Sequence, residues 1–183
     1  MQSLSGHLLV ASPELLDPNF VRAVVLLIQH TGEGAFGVVL NRPAGNTIRE
    51  LWEEIGDGVC KSRGHVNMGG PVSGPLIALH TDESLSEMEI LPGLHFAAER
   101  DHLEELVSQK DHFFRIFVGH SGWGGGQLEG ELKEGSWLTT PATVDYVFHD
   151  EEDLWKKVTR TIGESVLTSA LRIKRVPADP SAN

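Results

Sequence analysis

The sequence predicts an α+β fold in which a mixed β-sheet is flanked by helices. Short runs rich in β-branched residues, such as Ala23–Ile28 and Gly37–Leu40, are typical of buried strands. Segments with helical periodicity follow some of these runs without strict alternation, which argues against a doubly wound sheet. A chain of 183 residues with 40% hydrophobic and 22% charged residues suits a single soluble domain with a substantial core.

The first half of the chain predicts a hairpin followed by a helix. The two runs above are separated by His30–Ala35, a glycine-containing segment that indicates a turn. Thr47 and Glu50 have the spacing of a capping box, so we expect a helix over Ile48–Ile55 that ends at Gly56. Further strands are predicted at Pro75–Leu79 and Leu94–Phe96.

In the second half of the chain, the predicted strands and helices alternate less regularly. Asp101 with Glu104 predicts the start of a helix, and Phe113–Val118 predicts a strand. Leu128 and Leu132 suggest another helix. Two strands are then expected at Trp137–Thr140 and Val144–Phe148, and a last helix from Asp150 to Gly163. We expect residues 1–176 to form the domain and residues 177–183, which are rich in proline and small residues, to form a flexible tail.

Charge and cysteine content exclude several classes of protein. A net charge of -11 disfavours generic binding to nucleic acid or to an anionic membrane surface. Cys60 is the single cysteine, which excludes an internal disulfide and suits the cytoplasm. The most apolar run, Val21–Ile28, contains Arg22 and is far shorter than the ~20 residues of a membrane-spanning helix. The start of the chain lacks the basic region of a signal peptide, so we expect no secretion.

A dense glycine cluster follows the strand predicted at Phe113–Val118. Glycine loses more conformational freedom on folding than any other residue, so such a cluster indicates positive φ angles or very close backbone packing. We interpret it as a structural motif and expect positive φ at Gly122 and Gly124. The motif comprises Gly119, Gly122, Trp123, Gly124, Gly126, Gln127 and Glu129.

Two motifs with known chemistry are incomplete. Gly32–Gly37 matches the dinucleotide fingerprint, but a strand follows it where the cofactor site requires a helix, so no NAD is expected. Ser121 does not form a nucleophile elbow, because Trp123 stands where that turn requires glycine. Hydrolase chemistry stays a minor alternative, since a catalytic triad is recognised by geometry rather than by sequence. We assign no catalytic residues.

Anion and metal sites are also disfavoured. The backbone N–H groups before Gln127 suit an anion, but Glu129 and Glu131 in the first turns of the following helix favour self-capping. The spacing of His95, Glu99 and His102 suggests metal ligation only if one helix carries all three. Because a strand and a helix cap are predicted there, we expect no metal and no cofactor.

In combination, several segments resemble the YqgE/AlgH family of bacterial proteins. They are Leu8–Ala11, Asp17–Phe20, Arg22–Val25, His30, Gly37–Pro43, Gly69–Val72, Gly119, Gly122–Glu129 and Trp137. The resemblance implies a single α+β domain whose branched sheet encloses a small barrel. It also implies no established catalytic activity, and a description as transcriptional regulators that rests on a genetic association in one branch.

The sequence therefore favours a non-enzymatic, cytosolic regulatory or interaction protein with a protein partner. The alternative is a small-molecule binder or enzyme, in which Arg42 either binds a carboxylate or pairs with an acidic neighbour. Direct DNA binding ranks third, because neither a helix-turn-helix nor a basic face is evident. A deep shared pocket would favour the binder, and an apolar patch the interaction protein. The pocket residues of the alternative are Asn41, Arg42, Gly69, Gly70 and Trp123.

Overall fold

The computed structural model describes residues 2–55, 58–148 and 153–171. The strands in these residues are β1 (His7–Ala11), β2 (Val24–Thr31), β3 (Gly34–Val39), β4 (Pro43–Thr47), β5 (His65–Met68), β6 (Ile77–His80), β7 (Met88–Leu91), β8 (Leu94–Ala97), β9 (Phe114–Val118), β10 (Ser121–Gly124) and β11 (Trp137–Pro141). The helices are α1 (Ile48–Ile55), α2 (Arg100–Ser108), α3 (Gln127–Lys133), α4 (Val144–Val147) and α5 (Leu154–Leu171), with a short 3-10 helix at Glu83–Leu85.

The strands form two sheets. The five-stranded sheet has the order β10-β3-β2-β1-β11 and is antiparallel throughout. The six-stranded sheet has the order β4-β5-β9-β6-β8-β7 and is mixed, because β5 and β9 are parallel. The predicted α+β class with a mixed sheet and flanking helices is confirmed. The expected small barrel is not found in the described residues, where both sheets are open and end in separate edge strands.

The two sheets are joined where the chain passes from one to the other. β3 lies in the first sheet and β4 in the second, and the same change occurs between β9 and β10. Backbone pairing continues across this junction, since Val39 N–H donates to the Gly69 carbonyl (2.8 Å) and Val72 pairs with His120. The branching that the family resemblance implies is therefore a pair of strand crossings.

Three apolar clusters fill the spaces between the layers. One lies between the sheets and includes Leu8 and Val10 of β1 together with Phe117 of β9. Leu9 and Ala11 face the opposite side of β1, in a cluster covered by α3. The third covers the outer face of the six-stranded sheet with α1 and α2. Because both faces of β1 are buried, its residues are continuously apolar rather than alternating.

Local signals explain where the helix predictions succeed. Thr47 N–H donates to Glu50 Oε2 (2.7 Å), and Glu50 N–H donates to Thr47 Oγ1 (3.2 Å), which is the predicted capping box. α1 has the predicted bounds, while Gly56 lies outside the described residues. In the hairpin, strand pairing reaches Thr31 and resumes at Gly34, so the turn is shorter than predicted.

Two predictions near the C-terminus are wrong. Val144–Phe148 was predicted as a strand, but Val144–Val147 is α4, which begins because the Thr143 side chain accepts from Tyr146 N–H (3.3 Å). α5 continues past Gly163 to Leu171, so a single interior glycine does not end it. The predicted start at Asp150 and the predicted tail at 177–183 lie outside the described residues.

Candidate functional site

Arg42 follows β3 and uses its guanidinium to hold a loop. Nη1 donates to the carbonyl oxygens of Pro18 (3.2 Å) and Asn19 (2.5 Å), and Nη2 donates to that of Val21 (3.2 Å). The sequence suggested either a ligand carboxylate or an acidic neighbour as the partner of Arg42. Backbone carbonyls take this place, so the group acts first as a clamp on the segment before β2.

Asn41 fixes the same segment from the other side. Its Oδ1 accepts from Val24 N–H (2.8 Å), and its Nδ2 donates to the Arg22 carbonyl (2.8 Å). The amide thus replaces a strand partner at the start of β2, which supports Arg22 in a left-handed conformation (φ 54°). The Arg22 guanidinium lies 5.7 Å from the centre of the Trp155 ring.

Gly69 and Gly70 lie at the crossing of the two sheets. Gly69 N–H donates to the Val118 carbonyl (2.8 Å), and a Cβ on Gly69 would overlap the carbonyl oxygen of Gly119. Gly70 has φ 152°, and a Cβ there would overlap the carbonyl group of His120. The missing side chains let two backbone segments touch, so their use here is structural.

A recess opens beside this crossing. It has a volume of about 190 Å³ and is lined by Asn19, Val39, Arg42, Met68, Gly70 and Pro71. The lining residue Met68 is 42% exposed, and two valines next to this surface along the chain are equally exposed: Val72, which follows Pro71, and Val21, whose carbonyl accepts from Arg42. We call this surface the Arg42 recess. It brings Arg42 and Gly70 together, as the sequence suggested, among apolar rather than polar neighbours.

Trp123 lies elsewhere. It is on β10, only 6% exposed, and packs with Phe20 and Trp137 in the cluster beneath α3. Its exposed edge lines a separate, shallow depression with residues of β2 and β3, such as Gln29 and Phe36. Arg42 and Trp123 therefore line two different concavities rather than the single polar pocket that the sequence suggested.

The segment from Gly124 to Glu129 caps itself. Gly126 adopts φ 78° before the start of α3, and Gly124 N–H donates to Gln127 Oε1 (3.1 Å). Glu129 Oε1 accepts from His30 Nε2 (3.0 Å), because Leu4 N–H donates to His30 Nδ1 (3.0 Å) and fixes that tautomer. The hydrogen bond from its own backbone amide, followed by that from His30, lowers the pKa of Glu129. An incoming anion would meet groups that are already paired.

Ser121 is not presented as a nucleophile. It is fully buried, and its Oγ donates to the Gly69 carbonyl (3.1 Å). The ring of the adjacent His120 instead packs edge-on against Phe36, with 5.8 Å between ring centres. The hydroxyl therefore stabilises the sheet crossing.

Glu99 and His102, two of the three residues that the sequence put forward as possible metal ligands, form a cluster at the start of α2 with Glu87, which the sequence reasoning missed. Ligand atoms of Glu87, Glu99 and His102 lie within 4.8 Å of one another. Glu87 Oε1 already accepts from three N–H groups, those of Ala98 (2.9 Å), Glu99 (2.8 Å) and His102 Nδ1 (2.9 Å). These hydrogen bonds attach the segment just before α2 to Glu87, an arrangement that we call the Glu87 cap, and His95 lies outside it, bonded to Ser86 Oγ (2.9 Å).

The protonation of this cap follows from its hydrogen bonds. Burial alone raises the pKa of Glu87, but donation from Glu99 N–H and His102 lowers it below the usual range. The hydrogen bond to Glu87 raises the pKa of His102. Only the pairing of β7 with β8 brings Glu87 to α2, and no spacing in the sequence signals that pairing.

In the part of the chain that the structure describes, no helix combines the length and apolar character needed to cross a bilayer.

The fold and the recess define the class of this protein: an α+β domain in which two open sheets are joined at a glycine-lined crossing, beside a small apolar recess. The AlgH-like family model matches residues 8–167. The chain belongs to this family.

Relatives and solved structures agree with this assignment. A UPF0301 protein from Myxococcus xanthus is 38% identical over 168 residues, which cover 89% of this chain and 93% of the relative. One from Streptomyces coelicolor is 38% identical and covers 100% and 97%. The solution structure of the AlgH protein from Pseudomonas aeruginosa matches with a TM-score of 0.74 and 28% identity, covering 97% of each chain. A crystal structure of DIP2367 from Corynebacterium diphtheriae matches with a TM-score of 0.72 and 25% identity, covering 88% of this chain and 87% of that one.

Proposed function

We propose that this chain is a non-enzymatic interaction protein of the bacterial cytoplasm, and that the Arg42 recess is its docking surface. Any effect on transcription then runs through a protein partner rather than through DNA. The observation that carries the proposal is apolar exposure at the recess and beside it along the chain, since the lining residue Met68 and the nearby Val21 and Val72 are each 42% exposed. Grouped apolar exposure beside a concavity is typical of protein interaction sites.

The recess is held in shape before a partner arrives. Arg42 and Asn41 fix the segment before β2 through backbone hydrogen bonds. On the opposite wall, Gly69 and Val72 are tied to the sheet crossing through backbone pairs. A preformed surface loses little conformational entropy on binding, which favours affinity from a small contact area.

The size and charge of the molecule indicate the kind of partner. A volume of about 190 Å³ corresponds to about six water molecules, which is room for one apolar side chain. The net charge of -11 attracts positively charged surfaces and repels acidic ones. The partner is therefore a protein of basic overall charge that places an uncharged, apolar anchor residue beside Arg42 in the recess. The cytoplasmic location rests on the lone cysteine, Cys60, which suits a reducing compartment.

Quantitative affinity capture from native cell extract tests this proposal. The baits are the wild type, Met68→Glu, Val72→Glu and the control Val166→Glu, which changes an equally apolar side chain, 63% exposed, on α5. We expect a basic protein that the wild type and the control retain, that both recess variants lose by at least about tenfold, and that salt weakens. The purified pair should then bind directly, with the same order of affinities. Equal capture by all four baits, or capture of DNA or a metabolite alone, would overturn the proposal.

A further inference from the structure

An open apolar depression lies on the outer face of the six-stranded sheet, between α1 and α2. Its volume is about 260 Å³, and it shares no lining residue with the Arg42 recess. The lining residue Ile55 is 47% exposed. We call this surface the α1–α2 depression. It is lined by Trp52, Ile55, Leu76, Ala98, Arg100 and Leu103.

The two helices that flank the depression are acidic. Together, α1 and α2 carry six carboxylates and two arginines. Glu53 and Glu54 are exposed near the end of α1. Arg100, one of the two arginines, donates from Nε to Glu104 Oε1 (2.7 Å), so its charge is offset by a carboxylate. An apolar depression between acidic helices suits an occupant that is both apolar and basic.

The chain itself contains a segment of this kind directly after α5. In residues 172–176, Arg172, Lys174 and Arg175 are basic, and Ile173 and Val176 are apolar. No other four consecutive residues of the sequence include three basic ones. The segment lies outside the described residues, so its sequence alone enters the argument. Its charge and apolar content complement those of the α1–α2 depression.

The helix before this segment projects from the domain. Leu154 and Val158 in the first half of α5 are fully buried, whereas residues 163–167 are all exposed. Because an α-helix completes a turn in 3.6 residues, five consecutive exposed residues face every direction around its axis. No side of this part of α5 is therefore covered by the described residues. A helix that projects in this way carries the segment after it towards a neighbouring molecule.

We propose that residues 172–176 of one copy of this chain dock on the α1–α2 depression of a second copy. Ile173 and Val176 enter the depression, and the basic side chains lie against the carboxylates of α1 and α2. The volume corresponds to about nine water molecules, which is room for these two aliphatic side chains. Each copy offers one segment and one depression, so reciprocal exchange gives a closed dimer with two identical contacts.

The net charge shapes this association. Two copies at -11 repel each other at long range, and the local pairing of opposite charges has to offset that repulsion. The dimer is therefore weak and depends on the charges at the contact. This inference is independent of the proposed docking function, because the Arg42 recess takes no part in it.

Charge reversal on either side of the contact tests the proposal. We expect sedimentation velocity of the full-length wild type to show a monomer–dimer equilibrium with a Kd of about 10–100 µM, as suits a small contact. The helix variant, Glu53→Lys with Glu54→Lys, and the segment variant, Arg172→Glu with Arg175→Glu, should each weaken dimerisation by at least about tenfold.

A matched control separates the contact from the net charge. Glu14→Lys with Glu134→Lys makes the same change in net charge as the helix variant, at exposed positions after β1 and after α3. This control should dimerise at least as well as the wild type, because it reduces the repulsion and leaves the contact intact. Ala98→Leu fills the depression while its backbone N–H is kept for Glu87, and it should weaken dimerisation by about tenfold or more.

An equimolar mixture of the helix variant and the segment variant distinguishes a contact between copies from one within a copy. In the mixture the two reversed surfaces face each other, and so do the two unchanged surfaces. We therefore expect a heterodimer with about the wild-type Kd, although each variant alone is largely monomeric. Thermal melts establish that every variant is folded. A wild type that stays monomeric to about 500 µM, dimerisation that survives both reversals, or the lack of a heterodimer in the mixture would overturn the proposal.

Discussion

Glu131 shows how single polar residues in this protein are used to hold structure. Its Oε2 accepts from the indole N–H groups of Trp123 (2.9 Å) and Trp137 (2.8 Å), and its Oε1 accepts from the Gln127 amide (3.0 Å). The two tryptophans pack edge-on with 6.1 Å between ring centres. One carboxylate therefore fixes the rings beneath α3 and the start of that helix.

Removing this carboxylate should be costly. Glu131→Ala leaves two buried indole donors without an acceptor, so we expect the free energy of unfolding to fall by about 2–3 kcal/mol. Glu131→Gln keeps one acceptor oxygen, so its free energy of unfolding should fall by about half as much. Urea denaturation followed by tryptophan fluorescence measures both. Glu134→Ala, at an exposed position just after α3, is the control and should change stability by less than about 0.5 kcal/mol. Equal losses in Glu131→Ala and Glu134→Ala would show that the network contributes nothing.

The φ angles of the glycine cluster differ from those that the sequence predicted. Positive φ was predicted at Gly122 and Gly124, but both are extended residues of β10, and positive φ occurs instead at Gly119 (70°) and Gly126 (78°). A Cβ at Gly122 or Gly124 would meet no atom closer than 4.0 Å. These two glycines are exposed edge-strand positions, whereas the close contacts of the cluster are those of Gly119 at the crossing and of Gly125 with the Gly32 carbonyl of the β2–β3 hairpin.

Substitutions should separate the two kinds of glycine. Gly70→Ala places a methyl group against the His120 carbonyl and forces alanine to φ 152°, so we expect a loss of about 3 kcal/mol or failure to fold. Gly122→Val adds a β-branched residue to an open strand position and should change stability by less than about 1 kcal/mol. Thermal melts compare the two variants. A Gly122→Val protein that melts as low as Gly70→Ala would restore the original interpretation of the cluster.

At the scale of elements, β6 and β8 bury a pair of histidines. His80 and His95 lie opposite each other in register, with 5.8 Å between ring centres, and are 0% and 5% exposed. Neither His80 ring nitrogen has a hydrogen-bond partner within the described residues. Burial, and then the neighbouring His95, lowers the pKa of His80, although Asp82 and Glu87 act in the opposite direction.

His80 should make the protein sensitive to acid. A base whose pKa is lower in the folded state takes up its proton more readily when the chain is unfolded. The folded protein therefore keeps its full stability with respect to His80 above pH 6.5 and loses stability as the pH falls towards the folded pKa. We expect His80→Leu to unfold at higher urea than the wild type, with a larger gain at pH 5.5 than at pH 7.5. His7→Leu is the control, because the His7 ring contacts the Ser5 carbonyl rather than a carboxylate, and it should keep the wild-type pH dependence. A gain that does not change with pH would contradict this assignment.

The elements also show which parts of the fold are readable from sequence. The bounds of α1 were predicted because Thr47 and Glu50 form a contact within one helical turn. α4 was missed because an apolar, β-branched segment fits a strand equally well, and the cap at Thr143 decides between the two. Arg42 was singled out from the sequence as a possible ligand-binding residue, but its observed partners are backbone carbonyls, which have no sequence signature. The Glu87 cap and the Gly70 contact depend on pairing between strands that are distant in the sequence, so they have no sequence signature either.

At the scale of the whole molecule, acidic charge is spread over both halves rather than confined to a tail. Within the described residues, basic side chains gather on α5, where Lys156, Lys157 and Arg160 share a shallow depression with Asp153 and Glu164. Lys156 Nζ lies 3.7 Å from Asp153 Oδ1. The acidic neighbours offset this local positive charge, so it does not form a basic face of the kind that nucleic acid requires.

The last prediction follows from this charge distribution. DNA binding is driven by release of counterions when cations neutralise phosphates, and a net charge of -11 opposes the approach of such a polyanion. We expect fluorescence anisotropy to show no sequence-specific binding to duplex DNA at about 0.15 M salt. The double variant Asp153→Lys and Glu164→Lys removes the offsetting carboxylates from α5 and should acquire weak, salt-sensitive binding that does not depend on sequence. The double variant Asp153→Asn and Glu164→Gln should gain less, because it removes negative charge without adding cations. Submicromolar binding of the wild type to one promoter, lost when that sequence is scrambled, would instead place the protein among direct DNA-binding regulators.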